Sequence, residues 1–70
     1  MRFVKVESSC VDSVGYEGKI LYAKFNSGKV YAYIDVPVEK FVEMINSPSI
    51  GQFINKELKN NYDASEVASI

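Results

Sequence analysis

The chain has 70 residues, of which 47% are hydrophobic and 24% charged, with a net charge of −1. This length allows one small domain and excludes a second. The single cysteine excludes an internal disulfide, the lack of histidine excludes an imidazole base, and no apolar run approaches the ~18 residues of a membrane span. We therefore expect one folded domain in the reducing cytoplasm, without membrane contact.

The first half of the chain predicts strands. Glu17-Gly18 and Ser27-Gly28 each place glycine second in a two-residue hairpin loop, where a positive φ is favoured. Between them, the segment ILYAKF alternates with a period of two and is rich in β-branched and aromatic residues. The opening segment RFVKVE predicts a further strand, which gives a meander of three or four antiparallel strands.

Two-residue loops predict the register of these strands. The first loop places Val14 opposite Leu21, and the second places Phe25 opposite Val30. Because side chains alternate between the two faces of a sheet, the expected core face carries Val14, Leu21, Ala23, Phe25, Val30, Ala32 and Ile34. The opposite face then carries Val11, Ser13, Ile20, Tyr22, Lys24, Tyr31 and Tyr33.

After Val36-Pro37 the apolar residues follow the period of a helix. One stripe, expected to cover the core face, consists of Val38, Phe41, Val42 and Ile45, and Ser47-Pro48 ends this helix. Ser49 predicts the N-cap of a second short helix, and Gln52 three residues later indicates a capping box. The buried stripe expected for this second helix consists of Ile50, Phe53, Ile54 and Leu58.

Together these elements predict an α+β fold, in which a three- or four-stranded antiparallel meander is followed by two short helices packed on one face. Residues 1–62 are expected to form the domain. The segment 59–70 is polar and carries no stop signal, so we expect residues 63–70 to be a frayed tail.

The sequence offers little for catalysis. Cys10 follows an acidic and polar stretch that does not favour the thiolate, so we expect an unreactive thiol. Glu39 and Glu43 lie four apart on a helix but off its apolar stripe, which is typical of a solvated face. The glycines are scattered through turns and form no phosphate-binding loop. We expect a non-enzymatic protein with no cofactor and no metal site.

The tyrosines carry more information. Tyr22, Tyr31 and Tyr33 share the predicted outer face, with Lys24 among them. Cross-strand aromatic pairs stabilise a sheet by ~0.2–1 kcal/mol, which is a sufficient structural reason for such rings. As a functional surface, the same rings would stack RNA bases at roughly 1–3 kcal/mol per base. The third interpretation is a protein interface, with self-association into a homo-oligomer as one form of it.

A second candidate region follows the first helix. Asn55, Lys56 and Lys59 lie on or beside the second helix, and Tyr62 comes after it. The two lysines are three residues apart and are candidates to contact one phosphate. A solvated amphipathic helix is the simpler explanation of the same pattern.

The charges divide unevenly along the chain. Residues 1–33 hold five basic and three acidic residues, a net +2, and residues 34–70 hold three and six, a net −3. The acidic second half suits a protein that blocks or bridges a basic partner surface, such as a phage or mobile-element adaptor or inhibitor.

The order of these motifs resembles the KTSC domain. The motifs that carry the resemblance are Ser8-Ser9, Gly15-Tyr16, the F-x-SG-x-VY-x-Y segment at 25–33, Val36-Pro37 and the S-x-G-x-F-x-N segment at 49–55. The resemblance covers about residues 8–62. KTSC domains take their name from the C-terminus of some lysyl-tRNA synthetases and also occur alone in small bacterial and phage proteins. The resemblance implies a small binding module, for which RNA has been suggested as the ligand.

Overall fold

The computed structural model describes residues 3–67. Five strands form one antiparallel sheet in the order β1-β2-β3-β4-β5: β1 (Val4–Lys5), β2 (Val11–Glu17), β3 (Ile20–Phe25), β4 (Val30–Tyr33) and β5 (Ala64–Val67). Between β4 and β5 lie helix α1 (Val38–Ile45) and helix α2 (Ile50–Phe53), which continues directly into a π-helical turn (Ile54–Leu58). Residues 50–58 are called the second helical segment below. The α+β prediction is confirmed, with one more strand than expected.

The additional strand is β5, where a frayed tail was predicted. Its residues pair with β4 from Val30↔Val67 to Tyr33↔Ala64, and the Ile34 amide donates to the Asp63 carbonyl at 2.9 Å. Pairing gives hydrogen-bond partners to the backbone groups that β4 would otherwise expose as an edge strand. The prediction of a frayed tail is therefore wrong for residues 64–67, and residues 68–70 lie outside the described part. No helix within residues 3–67 has the length and apolar character needed to cross a bilayer.

The first hairpin turns one residue later than predicted. Its loop is Gly18-Lys19, and both residues have positive φ, at 59° and 64°, as a type I′ turn requires. Val14 therefore pairs with Ala23 rather than Leu21. A shift of two along the partner strand leaves every side chain on its predicted face.

The second hairpin has a three-residue loop, 26–28, instead of a two-residue one. The Phe25 amide donates to the Lys29 carbonyl at 2.8 Å, and Gly28 at φ 97° closes the turn. Asn26 does not pair with Lys29, because its amide donates to the Cys10 carbonyl at 2.8 Å and its side-chain Nδ2 to the Ser9 carbonyl at 3.0 Å.

The extra loop residue shifts the pairing of β3 with β4 by one and reverses the faces of β4. Tyr31 now pairs with Ala23, and Tyr33 pairs with Leu21. The helix-covered face carries Val14, Tyr16, Leu21, Ala23, Phe25, Tyr31 and Tyr33, and the open face carries Ser13, Tyr22, Lys24, Val30 and Ala32. The predicted placement of Tyr31 and Tyr33 away from the helices is therefore wrong.

Four other residues lie in environments that differ from the prediction. A register irregularity in β2 between Val11 and Ser13 pairs Val11 with Phe25, and Val11 joins the core with only 1% exposed. Val30 and Ala32 are buried, but they lie on the open face of the sheet. Ile34 was expected in the core and is 43% exposed.

Helix α1 lies where it was predicted but is rotated. Met44 is fully buried and Phe41 packs against the core, whereas the rest of the expected stripe is exposed: Val38 by 50%, Val42 by 47% and Ile45 by 44%. The Tyr16 hydroxyl donates to the Val36 carbonyl at 2.6 Å, and its ring stacks on Phe41 with centroids 5.4 Å apart. These contacts fix which side of α1 faces the sheet.

The second helical segment follows its prediction closely. Ser49 Oγ accepts from the Gln52 amide at 3.4 Å, which confirms Ser49 as the N-cap. The Ser49 amide donates to Ser47 Oγ at 3.2 Å, so the capping-box role predicted for the Gln52 side chain is taken by a serine. The expected stripe faces inward, with Ile50, Ile54 and Leu58 buried and Phe53 packed beside them.

Candidate functional site

An open cleft of about 340 Å³ separates the β4–β5 side of the sheet from the second helical segment. It is lined by Phe25, Tyr31, Tyr33, Ile54, Asn55, Lys59 and Ala64. Four of the eight binding candidates found in the sequence therefore line one concave site, although they come from two regions of the chain that were considered separately.

The sheet side of the cleft is aromatic. Tyr31 and Tyr33 reach it because the three-residue loop turned them toward the helices. The ring of Tyr31 meets that of Phe25 edge-on, with centroids 5.7 Å apart and planes at 77°, a favourable aromatic geometry. Tyr33 lies deeper and is only 5% exposed.

Burial raises the pKa of the Tyr33 hydroxyl above its usual 10.0, and the neighbouring Tyr31 raises it further. Tyr33 therefore stays protonated throughout the neutral range. A protonated phenol can donate a hydrogen bond into the cleft.

The helical side of the cleft depends on the π-helical turn. The Lys59 amide donates to the Ile54 carbonyl at 2.9 Å, five residues back, which widens the turn. Ile54 and Leu58, four residues apart, both point into the core. Asn55 and Lys59 follow them at the same spacing, and both line the cleft as exposed side chains.

Lys56 does not join Lys59. It lines a separate hollow of about 170 Å³ together with Ser47, Pro48, Ser49, Gln52, Phe53 and Glu57. The two lysines, considered as candidates to contact one phosphate, therefore line different hollows.

Beside this hollow, Lys40 connects the two helices. Its Nζ lies 3.0 Å from Glu57 Oε1 and 3.5 Å from Glu43 Oε1. The hydrogen bond to Glu57 is the main cause of a raised Lys40 pKa. This contact ties α1 to the second helical segment and leaves the cleft on the far side of that segment open.

The remaining candidates lie elsewhere. Tyr22 and Lys24 are on the open face, where the Tyr22 ring meets Phe3 with centroids 6.2 Å apart. Tyr62 is half-buried against the core, and its amide donates to the Leu58 carbonyl at 3.1 Å. The predicted stacking surface of Tyr22, Lys24, Tyr31 and Tyr33 does not exist as one face, since the two pairs lie on opposite sides of the sheet.

Sequence reasoning missed Phe25, Ile54 and Ala64 as cleft residues. Phe25 and Ile54 were assigned to the core, which they do border. Ala64 was missed with β5, whose small and polar residues show no apolar alternation. Asn26, before Ser27-Gly28, is compatible with a three-residue loop, but it does not by itself distinguish that loop from a two-residue one.

Two of the comparisons with known proteins name the same family. The family model of the KTSC domain matches residues 7–62. A protein of Tsukamurella paurometabola is 36% identical over 61 residues, covering 84% of this chain and 91% of that protein. A lysine–tRNA ligase of Nostoc punctiforme is 34% identical over 67 residues, covering 93% of this chain but only 12% of the ligase. The crystal structure of a KTSC domain protein from Yersinia pestis has the same fold, with a TM-score of 0.90 at 24% identity over 94% of this chain and 96% of that one.

Proposed function

Since the chain belongs to the KTSC domain family, we propose that it is a non-enzymatic binding module whose cleft holds an unpaired RNA nucleotide. The observation that carries the proposal is the convergence of Tyr31, Asn55 and Lys59 on one cleft. Proteins hold single-stranded RNA with three kinds of group. An aromatic ring stacks on the base, an amide forms hydrogen bonds with the edge of the base, and a cation neutralises the phosphate.

The relatives add independent support. Segments similar to this chain make up 12% of the length of the lysine–tRNA ligases of Nostoc punctiforme and Trichormus variabilis, whose name states that they act on a tRNA. This chain spans none of the remaining length of those ligases, so their activity is not assigned to it. The net charge of −1 means that long-range attraction to RNA is small, and we expect weak binding that depends on the local contacts of the cleft.

The experiment is a titration of a fluorescently labelled, unstructured RNA of about eight nucleotides, followed by anisotropy at several salt concentrations from ~50 mM upward. We expect the logarithm of the affinity to fall with the logarithm of salt, with a slope of about −0.7 for each neutralised phosphate. Lys59→Gln should weaken binding and reduce that slope by about one such step. Tyr31→Leu should weaken binding about fivefold or more and leave the slope unchanged, because stacking is not ionic.

Lys56→Gln is the matched control, because Lys56 lies on the same helical segment but lines the other hollow. It removes the same charge without touching the cleft. Equal effects of the two lysine substitutions would show that RNA binding depends only on the overall charge, and would exclude the cleft as the binding site. Absence of binding at ~50 mM salt would exclude RNA as the ligand.

A second candidate function, contact with a protein, is favoured by a different observation. Val38, Val42 and Ile45 form an exposed apolar stripe along α1, and Glu39 and Glu43 flank it on one side. Single exposed apolar residues are ordinary, whereas three along one helical face are typical of an interaction site. Lys40 of the same helix is shared between Glu57 at 3.0 Å and Glu43 at 3.5 Å, so it offsets only part of the Glu43 charge, and no ion pair to Glu39 is found within residues 3–67.

The charges indicate what this stripe would bind. Antiparallel packing of α1 on a second copy would place the glutamates of both copies together, which is unfavourable. A basic amphipathic helix of a partner would instead pair with them. Three side chains cover far less than the ~800 Å² per partner of a stable complex, so we expect a weak contact.

This candidate is tested with a designed Lys/Leu amphipathic peptide and its Glu/Leu counterpart, mapped by amide chemical shifts. Only the basic peptide should perturb α1, and Val42→Ser should abolish the effect. Val4→Ser is the control, since Val4 is 53% exposed but lies in β1. Sedimentation that shows a dimer sensitive to Val42→Ser would replace the basic partner with a second copy.

A further inference from the structure

The cleft runs along the whole length of β4. At one end it is lined by Phe25, whose amide donates to the Lys29 carbonyl at 2.8 Å where the β3–β4 hairpin closes. At the other end it is lined by Ala64, which pairs with Tyr33. These ends are about 13 Å apart, since a strand advances ~3.3 Å per residue and four residues separate Lys29 from Tyr33. The cleft is therefore elongated, with different residues at its two ends.

The second helical segment follows the cleft from one end to the other. It begins at the hairpin end, because a Cβ placed on Gly51 would lie 3.7 Å from the Cys10 Cβ, and the Cys10 carbonyl accepts from the Asn26 amide of the hairpin loop at 2.8 Å. It ends where the chain turns toward β5, since Lys59 follows its last residue and Ala64 begins β5 five residues later. Lys59, which lines the cleft, is therefore the cation at the end remote from the hairpin.

A second exposed lysine, Lys29, lies at the hairpin end. Its hydrogen bond with Phe25 sets these two residues opposite each other, one position beyond the outermost pair of β3 with β4. Directly opposite residues share a face of a sheet, so Lys29 lies on the cleft face, two residues before Tyr31 on the same side. Within residues 3–67 neither Lys29 nor Lys59 makes an ion pair, so both ammonium groups are available to an anion.

One carboxylate lies on the cleft face between the two lysines. Glu66 pairs with Tyr31, so it shares the face of that ring, and it is exposed. A phosphate placed beside Tyr31 would be repelled by this carboxylate. The backbone of a bound RNA is therefore favoured at the two ends of the cleft, and the middle offers the Tyr31 ring to a base.

We propose that a single RNA strand lies along β4, with one phosphate at Lys29, another at Lys59 and the base between them stacked on Tyr31. Lysine suits this role, because its flexible stem lets the ammonium group follow a phosphate at the rim of a cleft. The inference rests on the proposed RNA-binding function and adds to it a second phosphate contact and the path of the strand.

The test counts phosphate contacts from the salt dependence of binding. A labelled, unstructured RNA of about eight nucleotides is titrated with the full chain between ~50 mM and ~1 M salt. Two contacts predict a log–log slope of about −1.4, and Lys29→Gln should reduce it to about −0.7. Lys29→Gln should also weaken binding about five- to tenfold at ~50 mM salt and have little effect near ~1 M, where counterion release no longer contributes. In the double variant Lys29→Gln/Lys59→Gln the slope should be close to zero.

Lys24→Gln is the matched control, since Lys24 is also exposed and precedes Phe25 directly, but lies on the opposite face of the sheet. It removes the same charge and should leave the slope unchanged. A slope near about −0.7 for the unaltered chain, or equal losses in Lys24→Gln and Lys29→Gln, overturns the inference while RNA binding itself stands. If no RNA binds at ~50 mM salt, the proposed function and this inference fail together.

Discussion

The two helical segments bury different parts of their apolar surface. In the second helical segment, Ile50, Ile54 and Leu58 are all buried, and the exposed side chains are polar. In α1, Met44 is buried and Phe41 is partly so, while Val38, Val42 and Ile45 remain about half exposed. One segment thus completes the core, and the other leaves an apolar stripe in solvent.

The cause of the difference lies where each segment begins. The Tyr16 hydroxyl holds the Val36 carbonyl just before α1, and the Tyr16 ring holds Phe41, so the rotation of α1 is set from the sheet. The second helical segment starts from its own cap at Ser49 and then widens into a π-helical turn that keeps Ile54 and Leu58 inward. An apolar period shows that a helix is amphipathic, whereas contacts outside the helix select which part of the apolar arc is buried.

The largest expected effect compares two adjacent residues of α1. Met44→Ala removes a fully buried side chain and should lower the free energy of unfolding by about 2–5 kcal/mol. Ile45→Ala, at a residue 44% exposed, should change it by no more than about 1 kcal/mol. Urea unfolding followed by circular dichroism measures both. Comparable losses would mean that the exposed stripe is covered in solution and that the contrast between the helices does not hold.

The fold also shows which structural features the sequence predicts and which it does not. Strand and helix periods located β2, β3, β4 and both helical segments, because alternation and helical spacing are local properties. The face on which Tyr31 lies depends on a single loop residue, and Asn26 is drawn into that loop by the Ser9 and Cys10 carbonyls, which are distant in sequence. Strand β5 consists of small and polar residues, so its own sequence does not predict it. It is identified only by its pairing with the edge of β4.

The candidate site was predicted as parts rather than as a site. Tyr31, Tyr33, Asn55 and Lys59 were all identified from residue type, but Tyr31 and Tyr33 were assigned to the wrong face of the sheet. Their meeting with Asn55 and Lys59 depends on the hairpin register and on the π-helical turn, and neither has a local sequence signal strong enough to predict it.

A smaller effect tests how α1 is anchored. Tyr16→Phe removes the donor of the 2.6 Å bond to the Val36 carbonyl and should lower the free energy of unfolding by about 0.5–1.5 kcal/mol. Tyr22→Phe, whose hydroxyl bonds nothing within residues 3–67, is the control and should be close to neutral. Thermal unfolding of both variants makes the comparison. A neutral Tyr16→Phe would show that ring stacking on Phe41 alone orients α1.

The N-cap of the second helical segment is expected to contribute about as much to the free energy of unfolding as the Tyr16–Val36 hydrogen bond, or somewhat less. Ser49→Ala removes the acceptor for the Gln52 amide, and loss of an N-cap costs about 1 kcal/mol on average. The 3.4 Å distance places this cap at the weak end, at about 0.5 kcal/mol. Helix α1 has no side-chain cap, so it offers no equivalent substitution. Ser65→Ala, in β5, is the control, and a loss there equal to that of Ser49→Ala would contradict a role for the cap.

The smallest expected effect concerns Lys40, which joins the two segments, and it is visible only as a dependence on pH. The hydrogen bond to Glu57 is the main reason that the folded-state pKa of Lys40 exceeds the usual 10.5. Its stabilisation is therefore fully present below pH 10.5 and is lost as the pH rises through the higher folded-state pKa. Tyr33, whose pKa is also raised, destabilises the folded chain in the same alkaline range, so unfolding of the unaltered chain alone cannot isolate the Lys40 contribution.

The stability difference between the unaltered chain and Lys40→Met removes the Tyr33 contribution, because both proteins carry that residue. This difference should be constant from neutral pH to about pH 10 and shrink above it. It should also be smaller at high salt, because both carboxylates are exposed and the Lys40 side chain is only partly buried. Lys29→Met is the control, since Lys29 makes no ion pair in the described part of the chain. A Lys40→Met difference that stays flat or grows above pH 10.5 would show that Lys40 does not hold the two segments together through its charge.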